Sequence, residues 1–194
     1  PTRRSSDLAA ADIDADLDAV LARHNQVLDI SRAEADQGSG GGLVPVDLSM
    51  VAQEVWELYE PLAEDKGLRC TLTVDPDCRV LGDRNLIAQM LSNLLDNAIK
   101  YCAAGDELRL ILQETPDHHR LTIADTGPGL PDEMKDEAFE RFVRADRDKD
   151  RGIKGHGLGL ALVRAIAARH GAKLVLPPVG KGFVLEIGWP KLSA

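Results

Sequence analysis

Two glycine clusters, Asp125–Leu130 (DTGPGL) and Gly155–Leu160 (GHGLGL), bracket a charged segment in the second half of the chain. Glycine lets the backbone approach a ligand closely, and the second cluster leads directly into the helical pattern of residues 160–167. A glycine-rich loop that feeds a helix N-terminus favours phosphate, because backbone N–H groups and the helix dipole both attract an anion. Either cluster by itself is equally typical of a surface connection, so the surrounding residues decide the interpretation.

The composition predicts an acidic globular protein. The chain has 194 residues, of which 44% are hydrophobic, enough for one ordinary domain with a core and an appendage. A formal net charge of -9 argues against nucleic acid or an anionic membrane as the main partner, since phosphate backbones reward clustered Lys and Arg. Basic residues do cluster between positions 141 and 154, but acids are interleaved with them. That arrangement suits a small, highly charged anion better than a long polymer.

The cysteines and the apolar runs indicate a reducing setting without membrane contact. Cys70, Cys78 and Cys102 have no metal-ligand spacing and leave one over if two pair, which favours the cytoplasm. No apolar run is long enough to span a bilayer, and there is no secretory leader. We therefore expect no direct membrane contact from this chain.

The first 42 residues divide into three segments. Residues 1–8 (PTRRSSDL) match no element that follows, read as the translation of a common sequencing-adapter oligonucleotide, and are taken as a non-native leader. Between residues 9 and 36, apolar side chains from Ile13 to Leu28 recur at three- and four-residue steps, which predicts one amphipathic helix that needs a partner. Residues 37–42 (QGSGGG) predict a flexible linker.

From residue 43 onwards strands and helices alternate, which predicts an α/β domain in which one sheet is covered by helices. The turn Asp75–Asp77 (DPD) predicts a hairpin between the strands on either side of it. Asp83 is a plausible N-cap for a long following helix. The predicted strands are 43–48, 68–74, 78–81, 107–113, 119–124, 173–176 and 182–189, and the predicted helices are 49–66, with Val51, Val55, Leu58 and Leu62 inward, 84–102, and one ending at Arg169.

The helix predicted over residues 84–102 has a polar stripe opposite its apolar arc. Asn93, Asn97, Lys100 and Tyr101 stand at i, i+4, i+7 and i+8, so they share one side of the helix. Asparagine inside a helix costs intrinsic propensity, which suggests a use for the pair. An amide oxygen can coordinate magnesium, and a lysine can hold a phosphate oxygen. The alternative is a solvated face with an ion pair between Asp96 and Lys100.

Four segments together resemble a known family. NLLDNAIKY (93–101), DTGPGL (125–130), FERFVR (139–144) and GHGLGL (155–160) resemble, in this order, the N, D, F and G boxes of the catalytic ATP-binding domain of sensor histidine kinases, in the GHKL superfamily. The resemblance implies that residues 43–194 form a two-layer α/β sandwich, a mixed sheet backed by helices in the Bergerat-type ATP-binding fold. The helix over residues 9–36 resembles the second helix of that family's dimerisation hairpin, including its Ser31-Arg32 ending.

The resemblance also implies a site for ATP and Mg²⁺ between the polar stripe and a mobile lid. It gives Asn97 to the metal and Asp125 to the amino group of adenine, with Arg144 reaching the terminal phosphates from the lid. Two residues depart from the family pattern: Val143 stands where an aromatic residue is common, and His156 where Thr or Ser is common. The implied ATP-binding set is Asn93, Asn97, Lys100, Tyr101, Asp125, Gly127, Gly129, Arg144, Lys154, Gly155, His156, Gly157, Leu158 and Gly159.

The implied function is that of a protein histidine kinase. The γ-phosphoryl group of ATP would pass to a histidine on the first hairpin helix and then to the receiver domain of a response regulator, in a homodimer built on the hairpin. None of the chain's five histidines has the sequence context of the acceptor, so we expect a fragment that binds ATP without autophosphorylating. Related ATPases place a catalytic glutamate where Asn93 stands, so slow hydrolysis is expected.

The location and two other functions stay open at this point. The chain would be cytoplasmic, either by itself or as the cytoplasmic part of a membrane-anchored sensor. One alternative is an anti-sigma-type serine kinase of the same superfamily, although a dimerisation helix is not expected there. The other is a non-catalytic nucleotide-binding regulatory module, which Val143 and His156 keep open.

Overall fold

The computed structural model describes residues 42–135, 137–141 and 157–192. The helix predicted over residues 9–36 and the linker residues 37–41 lie outside these ranges, so the predictions made for them stay predictions. Within the described ranges, no helix combines the length and apolar character that crossing a membrane requires. Five residues of the predicted lid also fall outside the described residues: Val143, Arg144, Lys154, Gly155 and His156.

The described residues contain seven strands and three α-helices. Their bounds agree with the sequence prediction to within one residue at nearly every end. A short 3₁₀ turn, Asp132–Met134, follows the fifth strand. In chain order the elements are β1 (Val44–Asp47), α1 (Leu48–Asp65), β2 (Arg69–Val74), β3 (Arg79–Gly82), α2 (Arg84–Tyr101), β4 (Glu107–Glu114), β5 (His118–Asp125), α3 (Gly159–Arg169), β6 (Lys173–Val175) and β7 (Phe183–Pro190).

Five strands form one mixed sheet in the order β2-β4-β5-β7-β6. β2 runs parallel to β4, and the other neighbours are antiparallel. Along β4 and β5 every second side chain is buried, as at Leu108, Leu110 and Leu121, while the residues between them are more exposed. Such alternation means that the helices cover one face of the sheet and leave the other open. The predicted two-layer sandwich, a mixed sheet backed by helices, is therefore confirmed.

The predicted hairpin between β2 and β3 is wrong. β3 pairs antiparallel with β1 in a separate two-stranded sheet, while β2 is the edge strand beside β4. The intervening turn is held by the start of α1: the Ser49 hydroxyl donates to the Asp75 carbonyl at 2.7 Å and accepts from the Cys78 N–H at 3.1 Å. Because these turn groups bond to α1, they do not close a hairpin, and the chain is directed away from β2.

The inward face of α1 was predicted correctly in its first half and wrongly in its second. Val51 and Val55 are buried, but Leu58 is 71% and Leu62 55% exposed. In the second half the helix buries Ala63 instead, on a neighbouring side of the same helix. Helical periodicity fixes which residues share a face, but the neighbouring elements decide which face is covered, and the covered face rotates along α1.

The N-terminus of α2 is fixed by two polar contacts. The Asp83 carboxylate accepts from the N–H groups of Asn85 and Leu86 at 2.9 and 3.2 Å, which confirms the predicted N-cap. The Asp83 N–H donates to Nε2 of the buried His170 at 2.9 Å, and Nδ1 of His170 lies 2.7 Å from the Ile166 carbonyl. His170 is therefore neutral with its proton on Nδ1, and it joins the end of α3 to the start of α2.

Because His170 is buried and neutral, we expect the domain to lose stability in mild acid. Burial lowers the pKa of His170 below its ordinary value near 6.5. The unfolded chain therefore takes up a proton below about pH 6.5 that the folded chain refuses, so stability is complete above that pH and is lost as the pH falls. We expect urea unfolding of the wild type to show this slope, at most about 1.4 kcal/mol per pH unit for one imidazole.

The effect can be separated from that of the other histidines. His170→Gln should reduce the slope between pH 7.5 and 5.5. His119 is also buried and its pKa is lowered by that burial, so His119→Gln should remove a second share of the slope. An identical slope in the wild type and in His170→Gln would contradict the assignment.

Candidate functional site

The polar stripe of α2 lies against the N-terminus of α3. A Cβ atom built on Gly159, the first residue of α3, would lie 3.3 Å from Nδ2 and 3.7 Å from Oδ1 of Asn97, and 3.6 Å from Oδ1 of Asn93. Any side chain at Gly159 would therefore fill the space in front of both amides. The N-cap residue of α3 is Leu158, whose side chain cannot accept a hydrogen bond, so the first N–H groups of the helix receive no cap from it. This end of α3 suits an anion.

Asn93 presents its amide oxygen to this space, whereas Asn97 presents both atoms of its amide, with Nδ2 nearer to Gly159 than Oδ1. Nδ2 of Asn93 donates to the Gln89 carbonyl one turn back at 2.9 Å, which leaves Oδ1 facing Gly159. Asn97 is also half-buried, with its amide beside the same glycine. Neutral amide oxygens are ligands that Mg²⁺ accepts, and the gap kept open by Gly159 suits a small ion with phosphate oxygens. The donor set therefore fits the implied metal.

The last turn of α2 is a concentration of positive charge. Nζ of Lys100 lies 5.1 Å from the centroid of the half-buried Tyr101 ring. From the end of α1, the Lys66 ammonium donates to the Ile99 and Lys100 carbonyls, the latter at 3.2 Å. Cations at a helix C-terminus compensate the negative end of the helix dipole. The turn that carries Lys100 and Tyr101 is thereby held in place, and no local sequence pattern indicated this role of Lys66.

Asp125 ends β5 as a buried carboxylate with few partners. Asp125 is only 8% exposed, and its Oδ1 accepts a hydrogen bond from the Gly127 N–H at 2.9 Å. Burial raises the pKa of Asp125, against the opposing effects of the Gly127 N–H, the Cys102 thiol and the Phe183 N–H. A buried carboxylate of this kind favours a ligand that brings a hydrogen-bond donor, because an amino group compensates the lost hydration without adding charge.

Two glycines allow the loop after Asp125 to pack against the start of β7. Gly129 has φ +66° and Gly182 has φ +88°, both in the left-handed region. A Cβ on Gly129 would overlap the Gly182 carbonyl oxygen and lie 2.8 Å from its carbon, and one on Gly182 would overlap the Asp125 carbonyl oxygen. This close backbone contact by itself requires a glycine at position 129. The requirement for glycine at position 182 was not predicted, because a glycine that follows a turn looks like part of that turn. The contact that excludes other residue types there is with Asp125, which is distant in the sequence.

A second acidic side chain fixes the same loop from the opposite side. Asp106, in the turn after α2, accepts from the Ala103 N–H at 2.8 Å and from the Thr126 hydroxyl at 3.2 Å. The Thr126 hydroxyl accepts from the Glu107 N–H at 2.9 Å, and the Ala103 contact is the main reason why the pKa of Asp106 is lowered. Asp106 was missed as well, although an acid directly after Ala-Ala-Gly and before a strand is a turn signal. The network joins the end of α2 to the start of the Asp125 loop.

The described edge of the lid is anchored on α3. The Glu140 carboxylate pairs with the guanidinium of Arg164, and this contact lowers the pKa of Glu140. Phe139 is half-buried and packs against the core. At the far edge of the lid, Gly157 has φ +67° and Leu158 is buried. The described residues on both sides of the predicted lid therefore lie next to α3.

The structure brings the described part of the predicted site into one region. Asn93, Asn97 and Gly159 are adjacent, and Asp125, Gly127 and Gly129 form a second group at the end of α2, where Tyr101 leads into Cys102. The predicted lid residues Arg144, Lys154, Gly155 and His156 lie outside the described ranges. One end of the site is thus suited to phosphate and metal, and the other to a base with an amino group.

Comparisons with known proteins agree with this geometry. The family described as "Histidine kinase-, DNA gyrase B-, and HSP90-like ATPase" matches residues 82–193. Adaptive-response sensory kinase SasA of Crocosphaera subtropica is 37% identical over 148 residues, covering 75% of this chain and 38% of the relative. This chain spans well under half the length of the curated relatives it matches.

Solved structures give the same fold. A mycobacterial sensor histidine kinase, MprB, superposes with a TM-score of 0.67 and 32% identity over 77% of this chain and 97% of its own. Histidine kinase ThkA, in a complex with response regulator protein TrrA, matches with a TM-score of 0.64 and 26% identity over 77% of this chain and 42% of its own.

Proposed function

Because this chain belongs to the family of histidine kinase-, DNA gyrase B- and HSP90-like ATPases and has the ATP-binding catalytic domain of sensor histidine kinases, we propose that it serves a two-component system as the phosphoryl donor. Residues 43–194 form the catalytic domain. Residues 9–36 supply one helix of the hairpin through which two copies associate. The phosphoryl group passes from ATP to a histidine on the other hairpin helix, and from there to a response regulator.

The observation that carries the proposal is the contact between α3 and the amides of α2. The N-terminus of α3 at Gly159 faces Asn93 and Asn97 with no side chain between them. A helix N-terminus attracts the phosphates, while amide oxygens beside it suit the divalent ion that accompanies them. At the other end of the site, the buried Asp125 selects a donor group on the base.

Mg²⁺ would be held by Asn97, with Asn93 next to it and phosphate oxygens completing the coordination. When bound, the ion would neutralise phosphate charge and orient the terminal phosphoryl group. The chain's own residues would position the reactants, and Lys100 lies at the end of the same stripe. Catalysis of this kind is positioning and charge neutralisation.

The residue at position 93 favours transfer to a protein over hydrolysis. Hydrolysis needs a base that takes a proton from water. Asn93 cannot act as a base, and its amide nitrogen donates to the Gln89 carbonyl. We therefore expect slow release of inorganic phosphate by this chain and efficient transfer only when an acceptor histidine is supplied.

A transfer assay tests the proposal directly. The chain is incubated with labelled ATP and Mg²⁺, with and without a hairpin polypeptide that bears the acceptor histidine. We expect acid-labile label on the hairpin, no label on the chain alone, and no label on a hairpin whose acceptor histidine is replaced by alanine. ATP binding without transfer would favour a non-catalytic module, and acid-stable label on serine would favour a serine kinase.

A further inference from the structure

The side chain of Cys102 lies beside the Asp125 carboxylate. Cys102 directly follows α2, its N–H donates to the Ala98 carbonyl at 3.0 Å, and the residue is 3% exposed. A Cβ atom built on Gly127 would lie 3.0 Å from Sγ of Cys102 and 3.0 Å from Oδ1 of Asp125. The sulfur and the carboxylate therefore border the same small volume, which only a glycine at position 127 leaves open.

The chemistry of the two groups makes the thiol a donor. Burial, together with the negative charges of Asp125 and Asp106, raises the pKa of the Cys102 thiol to about 12. The thiol keeps its proton at neutral pH, and an ionised carboxylate can only accept hydrogen bonds. Because both groups border the Gly127 Cβ position, the thiol lies close enough to act on the carboxylate, and its effect lowers the pKa of Asp125 against the larger effect of burial.

Protein groups use only part of the hydrogen-bonding capacity of Asp125. A carboxylate offers about four lone-pair positions. The Gly127 N–H uses one on Oδ1 at 2.9 Å. The Cys102 thiol borders the same volume, and Cys102 and the Phe183 N–H both lower the pKa of Asp125. The remaining capacity is available to a ligand that brings a donor.

We propose that Cys102 is a positioning residue for nucleotide recognition: its S–H, together with the Gly127 N–H, holds the Asp125 carboxylate in the one orientation that accepts from the amino group of adenine. The inference rests on the proposed ATP-binding function. It makes Cys102 a determinant of selectivity for an amino-substituted base, although the thiol itself touches no ligand. A thiol that only filled space would have no such effect.

Two pairs of substitutions with matched shapes separate donation from packing. Cys102→Ser and Cys102→Ala differ by a hydroxyl donor, and Cys102→Thr and Cys102→Val differ by the same donor on a branched side chain. We expect Ser and Thr to keep the ATP affinity within about twofold of the wild type, and Ala and Val to lose about three- to tenfold, since one hydrogen bond to a charged group is removed. Melting curves identify any variant that fails to fold, and the other pair then decides.

The base selectivity and the pH profile provide readouts that packing alone would not move. Inosine triphosphate has a carbonyl where ATP has the amino group. Its affinity should therefore be the same whether or not the side chain at position 102 can donate a hydrogen bond. Loss of the S–H bond raises the pKa of Asp125 further. The fall in ATP affinity on acidification should therefore move to higher pH in the Ala and Val variants. In an Asp125→Asn background, Cys102→Ala should have no further effect on ATP affinity.

Several results would overturn the inference. It fails if Val behaves like Thr, if the Ala variant loses ATP and inosine triphosphate equally, or if Cys102→Ala still weakens ATP binding in the Asp125→Asn background. A wild-type chain that binds neither nucleotide by calorimetry would instead overturn the proposed function, and this inference with it.

Discussion

Replacing Asn97 by alanine should reduce the Mg²⁺-dependent affinity for ATP by at least about 100-fold, because loss of a residue that only supports a metal ligand already costs 10–100-fold. The amide of Asn97 lies beside Gly159 at the N-terminus of α3, where its oxygen would hold the metal ion. The folded domain itself should be unharmed or slightly stabilised, since alanine is the better helix former. Calorimetric titration with ATP, in Mg²⁺ and in chelator, measures the difference.

The control is a second asparagine on the same helix. Asn85 is exposed in the first turn of α2, about 18 Å from Asn97 along the helix axis. Asn85→Ala changes the same residue type in the same helix and should bind ATP as the wild type does. With chelator present, the wild type and Asn97→Ala should converge. Equal affinities in Mg²⁺ would remove Asn97 from the metal site.

Replacing Gly129 by alanine should destabilise the domain by more than about 3 kcal/mol. The backbone of Gly129 is left-handed with φ +66°, and a Cβ there would overlap the Gly182 carbonyl. Because Gly182 in turn packs on the Asp125 carbonyl, the displacement should reach the carboxylate and weaken ATP binding as well. Thermal melting should show a midpoint lower by roughly 6–12 °C.

Two other glycines separate the causes of this loss. Gly105 has φ +91° but nothing within 4 Å of an added Cβ, so Gly105→Ala measures the backbone strain by itself, about 1 kcal/mol. Gly180→Ala has neither strain nor a close neighbour and should be nearly neutral. If Gly129→Ala and Gly105→Ala have the same melting midpoint, the contact with Gly182 is not the reason why position 129 needs a glycine.

Local signals were sufficient for the secondary structure and for one half of the site. Alternation and the cap at Asp83 act between near neighbours in the chain, and both are present as predicted. The stripe with Asn93 and Asn97 follows from helical periodicity alone. The residue that faces the stripe, Gly159, is more than 60 positions away from it, and only the motif resemblance connected the two.

The errors share a physical origin in contacts between distant parts of the chain. Nothing local in the Asp75–Asp77 turn indicates that Ser49 takes up its polar groups. The exposed Leu58 and Leu62 satisfy the same periodicity as the buried Val51 and Val55. The contact between Cys102 and Asp125 was missed for the same reason, since the two residues belong to different turns and meet only in the folded chain.

The pairing of β2 with β4 has a consequence for how the domain assembles. The strand nearest to Arg69–Val74 in the sequence is not its partner, and Leu72 aligns with Leu110, 38 positions further along the chain. Closing so large a loop is entropically costly and slow, so β2 should pair with β4 late in folding. A nascent chain that ends before Glu107 has no template for the strand, and fragments cut there should expose an unpaired edge and aggregate.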